Sequence, residues 1–78
     1  MSAGQVPAVE VMHVAHFVFS QAGDERYAER KVNTFIRRCG ADIEKPKEQP
    51  LELSIVKDVA FAMLDRDSEK LFWTNLKK

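Results

Sequence analysis

The segment ERYAERKVNTFIRRC constrains the fold of this chain more than any other, because its pattern is that of one amphipathic helix. It begins after Asp24, a good N-cap residue, and ends before Gly40, which suits the position just beyond a helix. Its predicted buried face consists of Ala28, Val32, Phe35, Ile36 and Cys39. We interpret it as the second helix of a small bundle.

Three further helices are predicted from the same kind of periodicity. The first starts at Pro7 and runs to about Ala22, although its β-branched residues also allow a strand. The third opens at Pro50 and runs to about Leu64, and its alternating start, LELSI, also allows a short extended piece before the helix. Asp67 caps a short fourth helix over residues 68–76.

One face of each of these helices contributes to the predicted core. The inward residues are Val11, Val14, Ala15, Val18 and Ala22 on the first helix, Ile55, Val56, Val59, Ala62 and Met63 on the third, and Leu71, Phe72 and Leu76 on the fourth. We therefore predict an all-α fold, a small bundle of three main helices plus a short C-terminal helix. A flexible tail over residues 1–6 precedes a single helical domain over residues 7–78.

Composition indicates a small globular protein. Hydrophobic residues make up 45% of the 78, which is too apolar for a disordered chain. Twelve basic and twelve acidic residues cancel, so the overall charge argues neither for nor against nucleic acid as a partner. A single cysteine fits a reducing compartment, and neither a signal peptide nor a membrane span is apparent. We expect a cytoplasmic protein without membrane contact.

Two histidines, His13 and His16, interrupt the apolar run VEVMHVAHFVF and raise the question of a metal site. Glu10 and His13 have the Glu-x-x-His spacing of di-iron bundles, but the chain has no second such pair. Two histidines are also too few for the usual metal sites. The sequence favours the polar edge of a buried helix over a pH-sensitive contact, and we predict no metal and no cofactor.

Catalytic patterns are absent from the sequence. The three glycines lie too far apart for a phosphate-binding loop. Cys39 lies on an apolar helix face, which is more typical of a small buried hydrophobe than of a nucleophile. The acidic stretch LDRDSE lacks the glycine and glutamate that complete a calcium loop. We therefore predict that the protein is not an enzyme.

Arginines on the second helix form the first candidate contact surface. Arg26, Arg30 and Arg37 follow a straight line with Asn33, at spacing i, i+4, i+7 and i+11, and Arg38 flanks them. Guanidinium groups bind carboxylates or phosphates. Three interpretations stay open: a solvated face partly neutralised by neighbouring glutamates, an acidic protein partner, or nucleic acid.

Aromatic residues outside the predicted core form the second candidate surface. Phe17 lies off the main apolar arc, Phe61 lies on the polar side of the third helix, and Trp73 projects away from Leu71 and Phe72. An irregular fold that covers all three is the alternative to an exposed interface.

We predict a non-enzymatic protein-interaction or regulatory module that acts through this apolar surface as a homodimer. The alternative prediction is a nucleic-acid-binding helical protein that uses the basic face of the second helix.

Overall fold

The computed structural model describes residues 4–42, 44 and 49–76, which form four helices and a two-stranded sheet. The elements in chain order are β1 Gln5–Pro7, α1 Ala8–Ser20, α2 Glu25–Arg38, β2 Pro50–Glu52, α3 Leu53–Met63 and α4 Arg66–Asn75. Helices hold 71% of the described residues, so the prediction of a helical domain is correct in outline. The predicted division into three main helices and a short C-terminal one is not matched, because α4, with 10 residues, is nearly as long as α3, with 11. The two-stranded sheet was not predicted.

The sheet links the start of the described chain to the segment that precedes α3. Its two strands are antiparallel, and Val6 of β1 lies opposite Leu51 of β2, with both side chains buried. The N–H of Leu53 donates to the carbonyl of Gly4 at 2.7 Å, which extends the pairing to the first residue of α3. This ribbon adds two apolar side chains to a core that is otherwise helical.

Two predicted boundaries are wrong because of this sheet. The tail predicted over residues 1–6 is incorrect for Gln5 and Val6, which are held by strand pairing and burial, while residues 1–3 lie outside the described residues. Pro50 does not open the third helix, because it pairs within β2 and the helix begins at Leu53. The short extended piece that the sequence also allowed is the arrangement found.

The core lies where α1, α2 and α4 meet, and aromatic rings form its centre. Phe35 of α2 contacts Phe19 of α1 and Phe72 of α4, with ring centroids 6.2 and 5.4 Å apart. The five residues predicted to face inward on α2 are all buried. α1 contacts mainly α2 and α4, whereas α3 contacts α2.

Both ends of α2 are closed by the predicted caps. The Asp24 carboxylate accepts hydrogen bonds from the N–H groups of Arg26 and Tyr27, at 3.0 and 3.2 Å. Gly40 has a φ of 92°, and its N–H and that of the next residue donate to carbonyls of the last turn at 3.0 and 3.1 Å. The backbone that carries the arginines is therefore fixed at both ends.

The buried stripe of α3 is narrower than predicted. Val56, Val59 and Ala60 are buried and Met63 is half-buried, whereas Ile55, predicted to face inward, is 40% exposed. Ala62, also predicted inward, is exposed as well. These two side chains lie at the border of the stripe, where α3 is open to solvent.

Two helix ends also differ from the predictions. Asp65, not Asp67, caps α4: its carboxylate accepts a hydrogen bond from the N–H of Ser68 at 2.7 Å. Asp67 lies in the first turn instead, where an acidic group still complements the helix dipole. α1 ends at Ser20, so Ala22 lies in the following turn and is exposed.

Candidate interaction surfaces

α3 and α4 present an apolar surface that we call the aromatic face: Leu53, Ser54, Lys57, Phe61 and Trp73. Phe61 is 78% exposed, the largest value among the exposed large hydrophobic residues. The other four line an open groove of about 330 Å³. Because Phe61 follows Lys57 by four residues and Ser54 by seven, it continues the same helical row about one turn beyond the groove.

Trp73 forms one wall of this groove and is fixed by its neighbours. Its ring packs edge-on against the buried ring of Phe72, with centroids 5.0 Å apart and an interplanar angle of 87°. Its Nε1–H donates to Glu69 Oε2 at 3.4 Å. The prediction that Trp73 projects away from Phe72 is therefore wrong, since the indole contacts that ring while also lining the groove. The indole therefore packs against the core on one side and lines the groove on the other.

Phe17 is a second, smaller apolar patch. It lies on the outer side of α1 and is 44% exposed. It is not among the residues that line the groove beside Trp73. Ile55, which the sequence placed in the core, adds a third exposed apolar side chain at the edge of α3.

The line of polar side chains on α2, which we call the basic stripe, consists of Arg26, Arg30, Asn33 and Arg37. Its three arginines are exposed, as is Arg38. Helix geometry turns Arg38 by about 100° from Arg37, which places it beside the stripe and not in it.

No arginine of this stripe forms an ion pair with a carboxylate in the described part of the chain. The one ion pair there joins His16 Nε2 to Glu25 Oε2 at 2.8 Å and includes no arginine. Glu25 is one of the neighbouring glutamates that the solvated-face interpretation pairs with this stripe, but it contacts His16 of α1 instead. Arg37 Nε–H donates to the backbone carbonyl of Asn33 at 3.4 Å, so that side chain lies back along the helix.

A second open groove, of about 470 Å³, runs beside the first half of the basic stripe. It is lined by Asp24, Arg26, Glu29, Arg30 and Asn33. Two guanidinium groups and two carboxylates therefore face the same space, which suits a partner that carries both signs of charge.

The two histidines lie at the boundary between α1 and solvent, where the sequence placed them. His13 is exposed, and His16 is half-buried beside Ser20, whose Oγ donates to the His16 backbone carbonyl at 2.6 Å. Across residues 4–42, 44 and 49–76, no group of three or more histidine, cysteine or acidic side chains is placed to hold a metal ion. The pair with Glu25 explains the orientation of His16 without a ligand.

Cys39, which directly follows α2, is buried as predicted and only 3% exposed. Burial raises the pKa of its thiol from 9.0 to about 12, because the thiolate loses its hydration there. The group is therefore a protonated thiol at neutral pH, and a thiolate nucleophile is not available at this position.

Comparisons of the chain with protein-family models, with curated protein sequences and with solved structures gave no match. None of the described helices is long and apolar enough to cross a lipid bilayer.

Proposed function

We propose that this chain is a non-enzymatic interaction module that forms a homodimer through its aromatic face. The observation that carries the proposal is the exposure of Phe61, at 78%, next to an open groove walled by Trp73. Removing a phenylalanine side chain from water favours association by about 1.5–3 kcal/mol. Aromatic residues are also the usual anchors at the centres of protein interfaces.

The same face carries both a projection and a groove, which suits a two-fold symmetric contact. In such a dimer, Phe61 of one copy meets the groove of the other copy, and the reverse contact forms at the same time. An aromatic pair between Phe61 and the partner's Trp73 adds about 0.5–1.5 kcal/mol beyond the buried area. Lys57 at the rim can cover the contact with its methylene stem while its ammonium group stays in water.

The single cysteine supports a cytoplasmic location for the proposed module. Cys39 is a free, buried thiol, and free thiols persist in reducing compartments. We therefore place the proposed module in the cytoplasm.

Light scattering on the purified chain and two single variants tests the proposal. We expect a dimer at micromolar concentration and a shift to monomer in Phe61→Ser, because loss of a central aromatic anchor costs about 2 kcal/mol or more. Ile55→Ser is the matched control: it removes another exposed apolar side chain from the edge of α3, and it should stay dimeric. Trp73→Ser is a less clean variant, since it also removes packing against Phe72.

A strictly monomeric wild-type chain up to about millimolar concentration would overturn the proposal. Such a result means that association contributes less than about 4 kcal/mol, which is too weak for a contact with two aromatic anchors. Equal effects of Phe61→Ser and Ile55→Ser would overturn the assignment to the aromatic face.

A further inference from the structure

We infer that the basic stripe of α2 binds an acidic α-helical segment of a partner protein. This surface is separate from the aromatic face. The inference rests on the proposed function only in treating the chain as an interaction module, and it does not require the homodimer.

The first argument is the alignment of the stripe. Arg26, Arg30, Asn33 and Arg37 fall within an arc of about 60°, directly opposite the buried face of α2, and extend over about 16 Å along the helix axis. A partner helix that lies along this line can place one carboxylate opposite each guanidinium, if its acidic residues have the same spacing. The caps at Asp24 and Gly40 hold the helix that presents them.

The second argument is that the arginines are available. Among the described residues none of them forms an ion pair, and the one ion pair there joins Glu25 to His16. Arg37 uses its Nε–H within the helix, and no further hydrogen bond of its guanidinium is found in the described part of the chain. Its two terminal nitrogens can therefore form the paired hydrogen bonds that guanidinium groups make with a carboxylate.

The third argument separates a protein helix from nucleic acid. Asp24 and Glu29 line the same groove as Arg26 and Arg30, and both repel a run of phosphates. A protein helix can place a lysine or arginine opposite these two carboxylates, whereas a phosphate backbone offers negative charge alone. The zero net charge of the chain also provides no long-range attraction to a polyanion.

A synthetic peptide is the probe for this surface. It is a fluorescein-labelled, alanine-rich helix of about 20 residues, long enough to be helical in water, with glutamates at i, i+4 and i+11 and a lysine at i+3 to lie opposite Glu29. A second peptide keeps the lysine and carries glutamine at the three glutamate positions. Binding is followed by fluorescence anisotropy at about 50 mM salt, where exposed charges are weakly screened.

We expect the glutamate peptide to bind the wild-type chain and the glutamine peptide to bind at least about tenfold more weakly. Arg30→Glu combined with Arg37→Glu should weaken binding of the glutamate peptide at least about tenfold. Arg66→Glu combined with Lys70→Glu is the matched control, because it makes the same change in net charge on an exposed face of α4, and it should bind like wild type. Helical circular dichroism verifies that both double variants are folded.

Several results would overturn the inference: equal binding of the two peptides, no binding of either, or equal losses in the two double variants. Displacement of the peptide by an unlabelled DNA duplex, with affinity that falls steeply and log-linearly with salt, would assign the stripe to nucleic acid instead. Phe61→Ser should bind the peptide like wild type, because Phe61 lies outside the basic stripe. Loss of the dimer and loss of peptide binding are therefore measured independently.

Discussion

At the scale of single residues, burial determines the chemistry of the cysteine. The pKa of Cys39 is raised from 9.0 to about 12, so the unfolded chain loses this proton at a lower pH than the folded chain does. The contribution of Cys39 to stability is therefore complete below about pH 9 and is lost as the pH rises towards 12.

We predict that the Cys39 thiol reacts with a disulfide reagent much more slowly in the native chain than in denaturant at the same pH. Denaturant midpoints measured from pH 8 to pH 11 should fall more steeply for wild type than for Cys39→Ala. A native thiol that reacts as fast as a small free thiol would contradict the burial of this side chain.

Asp65 and Asp67 allow a test of capping within one short segment. The hydrogen bond from the N–H of Ser68 lowers the pKa of Asp65. A group with a lowered folded pKa stabilises the fold above its unfolded pKa of about 4, and that contribution is lost as the pH falls through the folded value.

We therefore predict that Asp65→Ala lowers the melting temperature more than Asp67→Ala at pH 7, because only Asp65 accepts the capping bond. The difference between the wild type and Asp65→Asn should shrink as the pH falls through the lowered pKa of Asp65 in the folded state, because the carboxylate then becomes protonated. Thermal unfolding followed by circular dichroism measures both effects. A larger effect of Asp67→Ala would indicate that Asp67 caps α4, as the sequence predicted.

At the scale of helices and strands, local signals were sufficient for α2 but not for the sheet. Asp24, Gly40 and five buried positions are all visible along one helix, so its bounds and buried face were predictable. β1 depends on residues more than 40 positions away in β2, and a three-residue strand has no periodicity of its own. Val6 of β1 was therefore predicted to lie in a flexible tail.

Two neighbouring valines test whether β1 belongs to the core. Val6 is 1% exposed in the strand, whereas Val9, in the first turn of α1, is only half-buried. We predict that Val6→Ala lowers the free energy of unfolding by about 2 kcal/mol, from lost burial and a residual cavity. Val9→Ala should cost less, because the gain in helix propensity offsets part of the loss. Urea unfolding compares the two, and equal values would mean that β1 is not part of the core.

At the scale of the whole molecule, the two candidate surfaces were predictable to different degrees. The basic stripe follows from the spacing of residues within one helix, so the sequence located it. The exposure of Phe61 was also visible, because its neighbours on α3 are polar. The groove beside it was not predictable, because Leu53, Ser54 and Lys57 line one space with Trp73 only through the relative placement of α3 and α4. That placement depends on the packed core and not on any one helix.

The most direct test of the aromatic face uses the single tryptophan as a reporter. The chain has one indole N–H, that of Trp73, so a ¹⁵N–¹H spectrum contains one indole signal, and it comes from the wall of the groove. We predict that, at sub-millimolar concentration where the wild type is a dimer, the indole N–H shows a through-space contact with ring protons of Phe61 from a second, differently labelled copy, and that Ile55→Ser keeps this contact. A wild-type indole signal without any contact from a second copy would contradict the proposed dimer.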